Sequence, residues 1–445
     1  MKKPKNHANP TRRQFLAHTA AAAGAASLVG CASTRSTRSR AAQEGPMPVA
    51  RARVPLADGE PIRMALVGCG GMGNGHLDAF MGFNERKEEA VHIVAVADCC
   101  SLKVDEAVAK CSRKQGFAVD GAADYRALLA RDDIHAVLIA SPEHWHGEMC
   151  RDAIAAGKDT YLEKPMTLRL DDGLHLRRVH MANPEVIVQI GTQKMTLPKY
   201  NEAQRLVAEG AIGHPTFSQT SYCRNSKDGE WLYYGIRPEI QPGSTIDWDA
   251  WCGHLGPRPW DPALYARWRR YKDFSTGIVG DLLVHEVTPL MMALQCGYPT
   301  RVVATGGHYI DKAMENHDQV NLQVQFGKKD HTMIVAGSTC NDQGLETMIR
   351  GHKATMYLGS NNVVIRPQQL FIEEVEEQTV ECPNIGNDQD QLRLNWLHCI
   401  RTREAPKSPV EFATQVIVAV DLATRSMWEG KAFGFDEDTM TAHAM

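Results

Sequence analysis

The sequence predicts an α/β protein: an N-terminal doubly wound parallel sheet, followed by a second α/β domain with a largely antiparallel open sheet. Three observations carry this. Short apolar runs alternate with helical patterns between Pro61 and Ile190. After Gln193 strand-like runs follow one another, separated by turn signals such as Gly306-Gly307 and Asn341-Asp342. Two long helical patterns close the chain. Alternation of strand and helix is the mark of parallel βαβ units, whereas strand after strand pairs antiparallel.

In order, Ile62–Val67 reads as a strand, Gly73–Phe83 as a helix, His92–Ala97 as a strand, and Ser101–Arg113 and Tyr125–Ala130 as helices. Ala136–Ala140 is a strand, His146–Ala156 a helix, Asp159–Leu162 a strand, Leu170–Ala182 a helix and Val186–Ile190 a strand. The second part has strands at Thr216–Tyr222, Arg301–Thr305, Gln319–Phe326, Thr332–Ala336, Ala354–Leu358 and Asn362–Ile365. Helices follow at Gln391–Thr402 and Glu411–Glu429. The expected organisation is a leader over residues 1–31, a flexible linker over 32–60, a first α/β domain over 61–192 and a second over 193–435.

The leader reads as an address. Thr11-Arg12-Arg13-Gln14-Phe15-Leu16 is a twin-arginine pattern before an uncharged, Ala-rich stretch too short to span a bilayer. It ends in Leu28-Val29-Gly30-Cys31, which looks like a lipobox, with Cys31 the lipidated residue. Export by the twin-arginine route to the periplasm is expected, with contact to a membrane only through that anchor. Ten of the 49 Lys and Arg precede Val54 but only one of the 53 Asp and Glu does, so the body is distinctly acidic. An acidic body lacks the footprint of a nucleic-acid binder. Twelve Cys are scattered without a C-x-x-C. That excludes a disulfide framework and fits folding in a reducing compartment before transport.

Gly68-Cys69-Gly70-Gly71-Met72-Gly73 fits G-x-G-x-x-G where a strand ends and a helix begins. Gly68 permits the tight turn, Gly70 lets backbone approach a pyrophosphate, and Gly73 lets helix pack on strand. The helix N-terminus offers N–H groups to the phosphates. Asp98 closes the second strand, where a carboxylate accepts both ribose hydroxyls. No Arg follows it to meet a 2′-phosphate, so NAD is expected rather than NADP.

Three further segments stand where a ligand could meet them: Ser141-Pro142-Glu143-His144-Trp145-His146, Glu163-Lys164-Pro165, and Gly280-Asp281-Leu282-Leu283-Val284-His285. Pro165 stops its strand so that Lys164 points over the sheet edge. Asp281 and His285 are four apart on one helix face. Oxidising an alcohol needs a base for the hydroxyl proton, a role imidazole suits, and an ammonium can hold the same oxygen. Lys164, Asp281 and His285 supply that set. Each also has a structural reading: a surface lysine, a helix N-cap, a core histidine. His144, His146 and His285 do not make a metal set, since i,i+2 residues diverge on a helix and no carboxylate partner is visible. No metal is expected. Trp231–Trp268 holds five of the eight Trp, either lining a glycan pocket, with Trp251 as the candidate, or packing a core or interface.

The order G-x-G-x-x-G, strand-end acid, S/T-P-x-x-x-H, E-K-P and G-D-x-x-x-H resembles the Gfo/Idh/MocA oxidoreductases over about residues 61–435. The resemblance implies a Rossmann domain followed by an α/β domain whose open sheet lines the substrate site and mediates homo-oligomers. It implies that Lys164 contacts substrate and nicotinamide, that His285 transfers the proton and that Asp281 helps bind substrate. Cofactor contacts are implied for Gly68, Gly70, Gly71, Met72, Gly73, Asp98, Ser141, His146, Glu163 and Lys164. Gln193 is placed facing the pocket. Thr288 and Leu283 depart from the family pattern, where an acid and a glycine are common, and this bears on which hydroxyls are bound.

Export gives that chemistry a particular form. Outside the inner membrane no dinucleotide pool is expected, so a cofactor carried across must be retained and re-oxidised in place. The reading is an NAD-dependent oxidoreductase acting on a sugar, cyclitol or glycoside. The chain also resembles exported glucose–fructose oxidoreductases. Its signal and first domain look like those of NAD-dependent glycosidases, so redox-assisted glycoside cleavage or epimerisation is an alternative. A sugar-binding lipoprotein without turnover is the reading from another class.

Overall fold

The computed structural model describes residues Met47–Met445. The twin-arginine pattern, Cys31 and most of the linker lie outside the described residues. The end of the expected linker is not a loose tether. The Asn183 amide bonds Pro48 O (2.9 Å) and Ala50 N (2.7 Å), and Arg53 pairs with the buried Asp159 at 2.9 Å.

The first domain runs β1 (Ile62–Val67), α1 (Gly71–Glu85), β2 (Val91–Ala97), α2 (Ser101–Gln115), β3 (Asp120–Ala122), α3 (Tyr125–Leu129), β4 (Ala136–Ile139), α4 (Glu143–Ala155), β5 (Asp159–Leu162), α5 (Leu170–Met181) and β6 (Val188–Ile190). Its six strands are parallel in the order β3-β2-β1-β4-β5-β6. Helices cover both faces, so the central strands are almost wholly buried: β4 is an unbroken apolar run and β1 is interrupted only by Arg63. The strand order reverses between β1 and β4, which opens a crevice at their carboxyl ends. Two differences from expectation are physical. The β3 edge, Asp-Gly-Ala, is too short and polar to signal a strand. Helix α4 starts three residues early, because extended Pro142 sets its N-terminus and draws Glu143 into the first turn.

The second domain adds α6 (Pro198–Ala208), β7 (Pro215–Cys223), the short helices α7 (Trp248–Cys252) and α8 (Pro262–Ala266), a π-helical turn at Ile278–Leu283, and α9 (Val284–Leu294). Strands β8 (Arg301–Gly307), β9 (Gln319–Phe326), β10 (His331–Ser338), β11 (Met348–Gly351), β12 (Ala354–Leu358), β13 (Asn362–Pro367) and β14 (Gln378–Glu381) follow. Helices α10 (Asp388–Thr402) and α11 (Val410–Glu429) and strands β15 (Phe433–Asp436) and β16 (Thr441–Ala444) complete the chain. The ten strands pair antiparallel except β7 with β10.

Two helices tie the domains together. Helix α11 buries Val410, Ile417 and Leu422 in a core that reaches both sheets. Helix α10 returns to the first domain, where Trp396 and Leu397 join Ile62 and Phe80. A third cluster holds Ile240, Ile246, Trp248, Trp251, Tyr265 and Phe274 against Cys100 of the first domain. No helix of the described residues is long and apolar enough to cross a membrane.

Candidate active site

The turn between β1 and α1 is shaped by its glycines. Gly68 has φ +93°, and a Cβ there would stand 2.7 Å from the Ala140 carbonyl. A Cβ on Gly73 would stand 2.0 Å from Gly68 O, so only glycine lets α1 close on the turn. At Gly70 and Gly71 a Cβ would meet nothing within 4 Å, because both border a cavity of about 720 Å³. Helix α1 has neither a side-chain cap nor an acid in its first turn, leaving its N-terminal N–H groups to that cavity. Asp98, at the end of β2, accepts Cys69 N–H (2.8 Å) and Cys100 N–H (2.9 Å), which aims its carboxylate at the cavity wall. An open backbone cradle, a positive helix end and an oriented strand-end carboxylate fit a dinucleotide.

The same wall carries Ser141, His146, Glu163 and Lys164. Lys164 Nζ donates to Asp281 O and Asp281 Oδ1, both at 2.8 Å. Arg269 Nε donates to the same Oδ1 at 2.9 Å. Burial opposes the Asp281 charge, but Lys164 and then Arg269 hold its carboxyl well below the usual range. Asp281 is therefore no helix cap. It sits inside the π turn, one residue register out of an α-helix, with its carbonyl and carboxylate on the same ammonium. His285 follows in α9. Burial, then the Lys164 charge, pushes its imidazole down to about 3, so the ring is neutral near pH 7. Its Nδ1 is sealed without a partner among the described residues, while Nε2 is not sealed. Pro289 in α9 leaves the His285 carbonyl without its usual helical donor.

Glu163 is fixed from behind. Arg393 Nε of α10 donates to His76 Nδ1 at 2.9 Å, so His76 Nε2 carries the proton and donates to Glu163 Oε1 at 2.8 Å. Burial alone would raise the Glu163 carboxyl; the His76 hydrogen bond and the neighbouring cations keep it below its ordinary value. Glu143, buried in the first turn of α4, accepts Ser275 Oγ (2.6 Å) and Thr276 N–H (3.3 Å). Burial and then the Asp281 charge raise it to about 7.

The segment from Arg224 to Thr276 straps the cavity from the second domain. Asp247 N bonds Cys99 O and Ser101 N bonds Thr245 O, both at 2.9 Å. Arg237 forks onto Glu106 of α2 at 2.7 and 3.0 Å. Trp251 stacks on Trp248 (4.7 Å, 10°), and its carbonyl accepts both His144 Nε2 and Trp145 Nε1 at 2.9 Å. Tyr234, Ile236, Trp251, Trp260, Tyr265 and Trp268 complete the wall facing the glycine turn.

Comparison with known proteins agrees with this geometry. Residues 62–192 match the model described as an oxidoreductase family with an NAD-binding Rossmann fold. Residues 254–434 match that family's C-terminal α/β domain. The chain belongs to the Gfo/Idh/MocA oxidoreductases. An inositol 2-dehydrogenase of Burkholderia multivorans is 28% identical over 169 residues, 38% of this chain and 48% of the relative. A glycosyl hydrolase family 109 protein of Shewanella sp. strain ANA-3 is 31% identical over 165 residues, 36% of this chain and 35% of the relative. The chain thus spans a third to a half of the length of these relatives. A solved levoglucosan dehydrogenase in complex with NADH has the same fold, with a TM-score of 0.62 at 18% identity, covering 84% of this chain and 98% of that one. An oxidoreductase domain protein of Kribbella flavida has a TM-score of 0.64 at 16% identity, covering 84% and 98%.

Within this Gfo/Idh/MocA scaffold, Gly68, Gly70, Gly71, Met72, Asp98, Ser141, His146, Glu163, Lys164 and Trp251 border one cavity, and Gly73 supports it from beneath. Asp281 reaches it through Lys164 and Arg269. His285 and Gln193 are not in its wall. His146 does not stand free: its ring nitrogens face Pro165 O (2.6 Å) and Ser141 O (2.9 Å), clamping the E-K-P turn. The Trp-rich segment packs a core of its own, and Trp251, Trp260 and Trp268 also border the cavity. Sequence reading missed Arg269, His76, Arg393 and the role of Glu143. His76, three residues after Gly73, and Glu143, inside Ser141–His146, stood in or beside recognised motifs; Arg393 is joined by a contact more than three hundred residues away in sequence, and Arg269 lies in an aromatic cluster without periodicity.

Proposed function

We propose that this protein is an NAD-dependent oxidoreductase that acts on a hydroxyl of a sugar, cyclitol or glycoside and keeps its dinucleotide bound between turnovers. The observation that carries the reading is the Lys164–Asp281 pair, at 2.8 Å, in the wall of the cavity that the glycine cradle also borders. Gly68, Gly70, Gly71 and Met72 would hold the pyrophosphate, Asp98 the ribose hydroxyls, and Ser141 and Glu163 the nicotinamide end, with His146 clamping the E-K-P turn beside them. When bound, the dinucleotide supplies a hydride acceptor. The Asp98 charge repels a 2′-phosphate and supports NAD over NADP.

An ammonium has three protons. Lys164 gives two to Asp281 and keeps the third for the substrate oxygen, where its charge stabilises a developing alkoxide. His285, neutral near pH 7 and outside the cavity border, would receive the hydroxyl proton at Nε2 once substrate and dinucleotide are seated. Asp281, ionised and held by two cations, keeps the ammonium aimed. The inositol 2-dehydrogenase match and the fold shared with a levoglucosan dehydrogenase support the substrate class.

The test is the reduced-nicotinamide absorbance of protein purified without added cofactor, as sugars are supplied. Persistent reduction is expected. Lys164→Ala or His285→Ala should cost on the order of 10²–10⁴ in rate while mass spectrometry still finds the nucleotide bound. Near-normal rates in both variants would remove the assignment. The family 109 match favours a second reading, redox-assisted glycoside cleavage, which transient reduction with released aglycone would reveal. No response to any sugar would leave a binding protein. Export belongs to the same proposal. It rests on Arg12, Arg13 and Cys31, and predicts that Arg12→Lys with Arg13→Lys strands the protein in the cytoplasm on fractionation.

A further inference from the structure

We infer that the substrate carries a carboxylate, recognised by Arg269, so that the sugar is a uronic acid or its glycoside. The inference rests on the proposed oxidoreductase reading and narrows its substrate class. Arg269 borders the cavity beside Lys164. Its Nε is given to Asp281, but no acceptor among the described residues meets its two terminal nitrogens, and neither is sealed from solvent. The group is packed against two aromatic rings: its central carbon lies 4.2 Å from the Trp268 ring centroid and 5.7 Å from that of Tyr234. Both aromatics also border the cavity. A guanidinium packed against two rings and held by Nε, with its end-on fork free, presents the pair of parallel donors that matches a carboxylate.

The ion pairs argue the same way. Lys164 and Arg269 share Asp281, and Arg269 makes no other salt bridge among the described residues. The neighbouring guanidiniums already hold carboxylates of their own, Arg224 on Glu230 and Arg270 on Asp311. A neutral sugar can offer these donors only separate, uncharged hydroxyl oxygens, whereas a carboxylate on the ring takes both in parallel and at full charge. The reacting hydroxyl then sits beside Lys164, with the acid group toward Trp268.

The experiment compares D-glucuronate with D-glucose, and D-galacturonate with D-galactose, in wild type and in Arg269→Gln. The readouts are reduction of the bound nicotinamide and quenching of tryptophan fluorescence on binding. In wild type the acid of a pair should lead in kcat/KM on the order of 10²-fold. In Arg269→Gln both sugars should slow as Asp281 loses one of its cations, and the acid should lose its lead as well, so that the acid-to-neutral ratio of kcat/KM falls to about one. Equal use of acid and neutral sugar by wild type overturns the inference. So does an Arg269→Gln loss shared equally by both, which is the signature of a residue that merely orders Asp281. Uronate binding without nicotinamide reduction, lost in Arg269→Gln, would keep the carboxylate site and remove the oxidoreductase reading. Neither binding nor reduction with either acid removes the carboxylate site.

Discussion

At the scale of single residues the glycine turn separates fold from function. Gly73→Ala places a methyl 2.0 Å from a backbone oxygen that no side-chain motion can move. It should destabilise the chain by ~1–3 kcal/mol, read as a lower melting temperature with or without nucleotide. Gly70→Ala meets nothing and has a negative φ, so the apo melting temperature should hold while nucleotide affinity falls, because the methyl enters the cradle. The titrating groups make a second pair. His285 stays neutral far below its ordinary value, so its protonation cannot shape activity between pH 6 and 8. Glu143, raised to about 7, can, because its charge faces Lys164, Asp281 and Arg269. The folded state keeps the Glu143 proton after the unfolded chain has lost it. Its contribution to stability is thus complete below about pH 4.5 and lost as pH rises to about 7. Glu143→Gln should flatten the stability profile over that window and remove an inflection near 7 from the pH dependence of kcat/KM. An unchanged inflection would assign it elsewhere.

At the scale of elements, the relay Arg393–His76–Glu163 lets a late helix position an early strand end. His76→Leu keeps most of the volume but leaves Glu163 without its donor. An unpaired buried carboxylate should cost ~1–3 kcal/mol, with weaker nucleotide binding on calorimetry as Glu163 protonates. Elements also show what could be read from residue order. The interior strands β1, β2 and β4 were legible because burial on both faces demands mostly apolar runs, whereas β5, Asp-Thr-Tyr-Leu, was legible from the alternation of strand and helix around it. The edges β3 and β14, polar and three or four residues long, carry no such demand. G-x-G-x-x-G, E-K-P and G-D-x-x-x-H were legible because each couples a backbone requirement to a fixed spacing. Arg269 was not, since its role comes from Asp281 across a loop and from two aromatic faces. The π turn that presents Asp281 to Lys164 leaves no trace in a helical pattern.

At the scale of the whole molecule, the strap of the second domain closes over the crevice of the first. Residues 193–253 lie between the two family-matched segments, and the strap draws much of its length from them. Its attachments differ in kind. The Arg237–Glu106 fork is solvent-exposed, a class of ion pair worth ~0–1 kcal/mol, so Arg237→Ala should speed nucleotide release only a few-fold. Trp251 is 4% exposed, stacked on Trp248, and bonded through its carbonyl to the first domain while it borders the cavity. Trp251→Ala should cost ~3–5 kcal/mol of packing, part of it in the closure of the strap. The dissociation rate, followed as nucleotide lost on dialysis and counted by mass spectrometry, should rise on the order of 10²-fold if about 3 kcal/mol of that cost falls on closure. Gly68 to Gly73 are untouched by the change, so the cradle should still rebind added NAD. Equal, small effects of both variants would show that the phosphate cradle alone retains the dinucleotide, and that the strap serves the substrate.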